Sequence, residues 1–221
     1  MDPFHPRLSD LPEEFPVFPL AGALLLPGGR LPLNIFEPRF LALTEAALAR
    51  GRLFGMMLPD PAHPRVDGQS TIFSVGCLGR IASFAETGDG RYLITLLGLI
   101  RFRVRRELPV HPRGYRSVSA DFSAYAADLA PAEASPAGID RPRLVAAMRT
   151  YFQARRMEVD WEAVEGLSLP VLVTTLCMIC PFGGAEKQAL LEALDLRERA
   201  TLLLALMRMD AAGPAAGARP S

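Results

Sequence analysis

A chain of 221 residues, 50% of them apolar, is long enough to bury one large core or two small ones. Lys and Arg together number 24, as do Asp and Glu, so no overall field draws the chain to nucleic acid, an anionic membrane or a strongly acidic substrate. Three cysteines make no even disulfide framework, and the N-terminus lacks the basic start and unbroken apolar run of a secretory signal, so a cytoplasmic protein is expected.

Strands are expected from about Phe15 to Phe122, beginning with F-P-V-F-P-L. Leu24, Leu25, Leu26 and Pro27 precede Gly28-Gly29 and form an apolar stretch beside a flexible turn, suited either to a hydrophobic partner or to the core. Leu31, Leu33 and Ile35 alternate with Pro32 and Asn34, the pattern of a half-buried strand. Glu37-Pro38 then sets a helix start, since proline costs little in a first turn and a carboxylate there meets the positive end of the dipole. Gly51 closes that helix, and Phe36 and Phe40, one turn apart, are expected to pack beneath the strand. R-L-F-G-M-M-L from Arg52 is the next strand. Ser74 to Phe84 pairs with Arg91 to Arg105 through the E-T-G-D-G turn, and Tyr115 to Phe122 follows with Val118 and Ala120 inward. Short strands closed by turns predict a small barrel or folded sheet.

Residues 124–139 gather Ala, Pro, Glu, Ser and Gly without periodicity and are expected to connect two parts. Arg141 to Arg156 places Leu144, Met148, Tyr151 and Phe152 on one helical side. Asp160 is a cap for a short helix holding Trp161 and Val164, and Ser168 a cap for one that ends at Pro181. The run from Leu167 to Phe182 contains Pro170 and falls short of the roughly 20 residues that span a membrane, so it reads as a buried helix. Ala185 to Leu194 and Leu196 to Met209 complete a helical bundle. The expected layout is an α+β chain with a β-rich part at 12–123, a connecting loop at 124–139, a bundle at 140–210 and a disordered tail at 211–221.

Three segments, in order, resemble signatures of the LON domain: L-P-L-N-I-F-E-P-R-F at Leu31 to Phe40, G-R-Y-L-I-T-L-L-G-L-I-R-F-R at Gly90 to Arg103, and P-F-G-G-A-E-K-Q-A-L-L-E at Pro181 to Glu192. This domain is the N-terminal substrate-binding region of Lon-type ATP-dependent proteases and also occurs as a free-standing protein. The resemblance implies a PUA-like β-barrel or folded-sheet subdomain, a C-terminal helical bundle, and substrate recognition without catalysis. Its implied partners are unfolded or client proteins, with a protease or a second copy of the chain as further expectations.

No G-x-x-x-x-G-K-[ST] phosphate loop occurs, and the only lysine, Lys187, stands in E-K-Q with no serine in that segment, so neither the ATPase nor the serine-lysine protease of Lon enzymes is expected. Cys177-Met-Ile-Cys180 has metal-ligand spacing, but Cys77, His5, His63 and His111 are scattered and nothing converges on about four ligands. No metal or cofactor is therefore expected, and the pair reads as small apolar filler at a helix end. Arg101, Arg103 and Arg105 alternate with Phe102 and Val104, and Arg106 follows; three guanidiniums from one strand face would suit phosphates, while the plainer reading is a solvated face above a buried Phe102 and Val104. Glu37 and Arg39 read as a structural pair at a helix start or as a partner contact. The leading reading is a non-catalytic module whose apolar groove engages exposed hydrophobic segments of other proteins, with Leu24, Leu25, Leu26, Pro27, Phe36, Arg39, Arg101 and Arg103 as candidate contacts. The alternative is a PUA-like nucleic-acid-binding module using the strand 101–106.

Overall fold

Alternating apolar residues build one sheet from six strands in a computed structural model that describes residues 6–63, 70–130 and 138–211. The strands are β1 (Glu14–Pro19), β2 (Arg30–Ile35), β3 (Leu53–Met57), β4 (Val75–Glu86), β5 (Tyr92–Glu107) and β6 (Arg116–Asp121), with helix α1 (Pro38–Ala49) between β2 and β3. Their order is β2-β5-β4-β3-β1-β6, and β5 also pairs with β6. That last pairing closes β1, β3, β4, β5 and β6 into a barrel, leaving β2 as an added strand outside the ring. Closure depends on the 16 residues of β5, whose first half pairs with β2 and whose last residues pair with β6. Only β1 and β3 run parallel.

Inside the barrel, Phe102 meets Phe15 edge-on with ring centroids 4.9 Å apart, and Phe122 lies 6.2 Å from Phe102. Val118 and Ala120 point inward as their alternation requires. Helix α1 starts with Pro38 in its first turn, and Phe40 drops from it onto Phe18 with ring centroids 3.8 Å apart. Phe36 does not join it beneath the strand and is 60% exposed. The reason is parity: Ile35 is buried, so the next residue along an extended chain faces the other way.

The Leu24 to Leu26 stretch is core, not a free apolar loop. All three are at most 1% exposed, while Pro27 is half-buried. Glycines admit this plug: a Cβ on Gly98 would lie 2.1 Å from the Leu26 carbonyl oxygen, and one on Gly79 would lie 2.9 Å from Leu25 Cδ2. The loop is stitched down where the Gly28 amide donates to the Gly98 carbonyl and the Gly98 amide donates to that of Gly29, both at 2.9 Å.

After β6 the chain does not run straight into a loop. Ser123–Leu129 winds into a 3₁₀ stretch that buries Tyr125 and packs on β5. The remaining helices are α2 (Arg141–Ala154), α3 (Trp161–Gly166), α4 (Leu169–Ile179), α5 (Gly184–Glu192) and α6 (Leu196–Ala211). Asp140 and Asp160 cap α2 and α3, each accepting a backbone amide bond at 3.0 Å. Ser168 occupies the cap position of α4, but its side chain makes no capping bond. The rest of the expected connecting loop at 131–137, His5, and the expected tail beyond Ala211 lie outside the described residues. Among the described residues no helix is long and apolar enough to cross a membrane.

Gly98→Ala, which must displace the Leu26 backbone, is expected to cost about 2–3 kcal/mol in denaturant unfolding. Gly88→Ala, with nothing within 4 Å of its Cβ, is expected to change stability by less than about 0.5 kcal/mol.

Candidate functional site

The arginine strand divides as soon as its partners are traced. Arg101 is 4% exposed. Its Nε donates to Asp128 Oδ2 at 2.9 Å and its Nη2 to Asp128 Oδ1 at 2.8 Å, a bidentate pair, while its own amide donates to Oδ2 at 3.0 Å. Its Nη1 donates to the carbonyls of Leu191 and Ala193, at 3.1 and 2.5 Å, in the last turn and the cap of α5. The guanidinium also lies 4.5 Å from the Tyr125 ring centre. Burial opposes its charge, but the hydrogen bonds and charge of Asp128 outweigh that and hold its pKa above the ordinary arginine value. Arg101 is thus a strut between barrel and bundle rather than a phosphate contact. Arg103 is exposed, Arg105 pairs with Asp121 at 3.7 Å and Arg106 with Glu14 at 3.2 Å. A register shift between Val104 and Arg106 breaks the alternation, so the single three-guanidinium face expected from sequence does not form.

The third signature segment is likewise structural. Lys187, 4% exposed, donates from Nζ to the Gly22 carbonyl at 2.5 Å and to that of Met178 at 3.4 Å. Burial lowers its pKa. Gln188 donates from Nε2 to the Val75 carbonyl at 3.1 Å, so neighbouring residues of α5 grip the β1–β2 loop and the start of β4. Cys177 and Cys180 are buried, and burial pushes their thiols up to about 12 and about 11, out of the reactive range. Among the described residues no group of three His, Cys, Asp or Glu could hold a metal ion.

The outer face of the sheet, where β2 flanks β5 and β4, exposes large apolar side chains. Register places Asn34, Leu93 and Ala85 side by side across the three strands, and Pro32, Thr95 and Ser83 in the next row. Residues paired this way project from one face. Leu93 is 48% exposed, and Phe36, next but one to Asn34 along the chain, extends the same face, with the Arg91 guanidinium 5.8 Å from its ring centre. Arg39 stands at the start of α1, three residues on from Phe36. It donates from Nε and Nη2 to Glu37 Oε2 at 3.0 and 2.8 Å and covers the Phe40 ring at 4.4 Å.

The free edge of β2 is a poorer contact than the face. Gly98 turns both its amide and its carbonyl to the β2 side, so Leu96, Ile94 and Tyr92 do too, and Leu31, Leu33 and Ile35 answer them. Arg30, Pro32 and Asn34 then carry the outward main-chain groups, and Pro32 has no N–H to offer an added strand.

A family model for the ATP-dependent protease La (LON) substrate-binding domain matches residues 14–209. The chain belongs to the LON substrate-binding domain family. Lon protease 2 of Myxococcus xanthus is 26% identical over 200 residues, covering 90% of this chain and 24% of that protein. The chain therefore spans about a quarter of the curated Lon proteases it matches. Protein cereblon of Danio rerio is 30% identical over 112 residues, covering 47% of this chain and 25% of that protein. Among solved structures, a Lon N-terminal domain protein from Xanthomonas campestris superposes with TM-score 0.58 at 25% identity, covering 87% of this chain and 97% of that one. The N-terminal domain of Mycobacterium avium complex Lon protease gives TM-score 0.54 at 20% identity, covering 88% and 98%, a likeness of fold. In this LON domain the signature at Leu31 to Phe40 forms the added strand and the first turn of α1, next to the exposed face.

Arg101→Ala leaves Asp128 without its buried partner and is expected to cost about 3–5 kcal/mol in thermal or denaturant unfolding. Arg103→Ala on the same strand is expected to stay within about 0.5 kcal/mol of the parent.

Proposed function

We propose that this LON domain is a non-catalytic protein-binding module that holds exposed hydrophobic segments of unfolded or client proteins on the outer face of β2, β5 and β4. The observation that carries this reading is that Phe36 and Leu93, 60% and 48% exposed, fall on one sheet face as diagonal neighbours, among Asn34, Pro32, Ala85, Ser83 and Thr95. Two large apolar side chains on neighbouring rows of one sheet face form a patch, whereas single exposed ones are ordinary. Membership of a substrate-binding family supports the same role.

Completing the burial of Phe36 and Leu93, which are 60% and 48% exposed, is worth about 1.5–3 kcal/mol before the cost of ordering the bound segment. Capture is then weak and reversible, as suits a module that releases what it holds, whether alone or on behalf of a protease. Arg91 lies over the Phe36 ring and gives the patch a polar contact at its rim, and Arg39, three residues on from Phe36, is a further contact for a bound segment. The nucleic-acid alternative loses its main support, since Arg101 is spent inside the molecule.

The test is fluorescence anisotropy with a labelled, permanently unfolded model protein. Phe36→Ser with Leu93→Ser is expected to weaken binding about tenfold or more. Both residues are exposed, so urea unfolding should move little. Raising salt should leave the parent's affinity nearly unchanged, whereas phosphate-driven binding would fall steeply. Tight binding of labelled RNA without binding of unfolded protein would overturn the proposal.

A further inference from the structure

Strands β2, β5 and β4 run on past the barrel as a three-stranded extension, and its two edges differ. Along β2, Pro32 interrupts the outward main-chain groups. Along β4, pairing with β3 stops at Arg80, and just beyond it the Ile81 amide donates to the Arg52 carbonyl at 2.8 Å. The strand then continues to Glu86 with β5 on one side and, among the described residues, no strand on the other. Ser83, Phe84, Ala85 and Glu86 are all exposed.

Alternation tells which groups of this edge point outward. Tyr92, Ile94 and Leu96 turn their main-chain groups to β2, so Leu93 and Thr95 turn theirs to β4. Ala85 and Ser83 are the partners that answer them, which leaves Phe84 and Glu86 with amide and carbonyl directed away from the sheet. The Thr87 amide, donating to the Arg91 carbonyl at 2.9 Å, continues the same count. Phe84 and Glu86 therefore offer donors and acceptors in a line, about 6.8 Å apart, the two-residue repeat of a strand. The segment 82–86, A-S-F-A-E, carries none of the prolines, lysines or arginines that blunt an edge.

Extended backbone is the occupant that repeats donors and acceptors at this spacing. The row that holds Leu93 passes through Ala85 and the row that holds Thr95 passes through Ser83, so alternate side chains of an added strand would stand beside these small residues on the face of Leu93 and Phe36. A second copy of the chain is the poorer occupant, because an edge this short falls well below the roughly 1,200–2,000 Å² that stable association buries. We propose that residues 82–86 of β4 take up an extended segment of an unfolded client as an added strand, holding its main chain while its apolar side chains reach the face. This deepens the reading of that face as a client site and rests on it. Recognition through the main chain tolerates many client sequences, and the apolar face then selects among them.

Proline at an outward position tests the edge, because it removes an amide that β5 does not use and sets its ring where the added strand would lie. Anisotropy of the labelled unfolded model protein compares Phe84→Pro with Phe84→Ser, which loses the same aromatic ring but keeps the amide. The proline variant is expected to bind about fivefold or more weakly than the serine variant, from a lost hydrogen bond and a displaced strand. Glu86→Pro against Glu86→Ser repeats the comparison, and decides alone if the urea midpoint shows Phe84→Pro to be poorly folded. Proline and serine variants within about twofold of each other would overturn the proposal. Phe36→Ser with Leu93→Ser separates edge from face: binding lost there with no proline effect removes the edge and leaves the face, whereas a parent that binds no unfolded protein removes both. Sedimentation showing a parent dimer that the proline variants break, with client affinity unaltered, would give the edge to a second copy and also overturn the proposal.

Discussion

Barrel and bundle meet at one buried guanidinium. Arg101 leaves β5 on the side opposite Phe102 and takes hold of two separate pieces of chain: Asp128 in the 3₁₀ stretch, and the carbonyls of Leu191 and Ala193 where α5 ends. Carbonyls at a helix end lack intrahelical donors and carry the negative end of the dipole, so a cation placed there answers both needs. A buried charge of this kind is tolerated only while every partner is in place. Lys187 and Gln188 make the reverse connection, from α5 to the β1–β2 loop and β4. The polar residues of the signature segments thus hold the two parts together, while Phe36 and Leu93 on the outer face of β2, β5 and β4 stay open to solvent.

Local chemistry was legible in the sequence wherever one element settles it. The Leu31, Leu33 and Ile35 alternation gave β2 its buried side, and Asp140 and Asp160 cap the helices they precede. Phe36 shows how two periodicities compete: counted with Phe40 it belongs to a helix face, counted with Ile35 it belongs to a strand. The strand count holds because residue 36 precedes the first turn of α1. The Leu24 to Leu26 stretch lay open between partner and core, and two glycines more than fifty residues away decide for core by leaving room for it.

Arg101 was not legible. Its alternation with Arg103 and Arg105 is genuine, yet its burial depends on Asp128, 27 residues on, and on carbonyls some 90 residues on. Nothing in a strand's own sequence reports what packs over it. The same holds for Ser123–Leu129, whose Ala-rich composition without periodicity reads as loop and whose 3₁₀ winding is held against β5 from outside. Membership of the LON domain family therefore carries fold further than it carries sites, because the residues that make the family recognisable here are largely architectural.

The most direct measurement of where a client sits is hydrogen exchange of the full chain with and without saturating unfolded protein. Binding on the open sheet face predicts added protection confined to Arg30 through Phe36, Arg91 through Thr95 and Ser83 through Ala85, with α6 unchanged. Protection that instead mapped to Arg103 through Arg106, or only to the helical bundle, would contradict it.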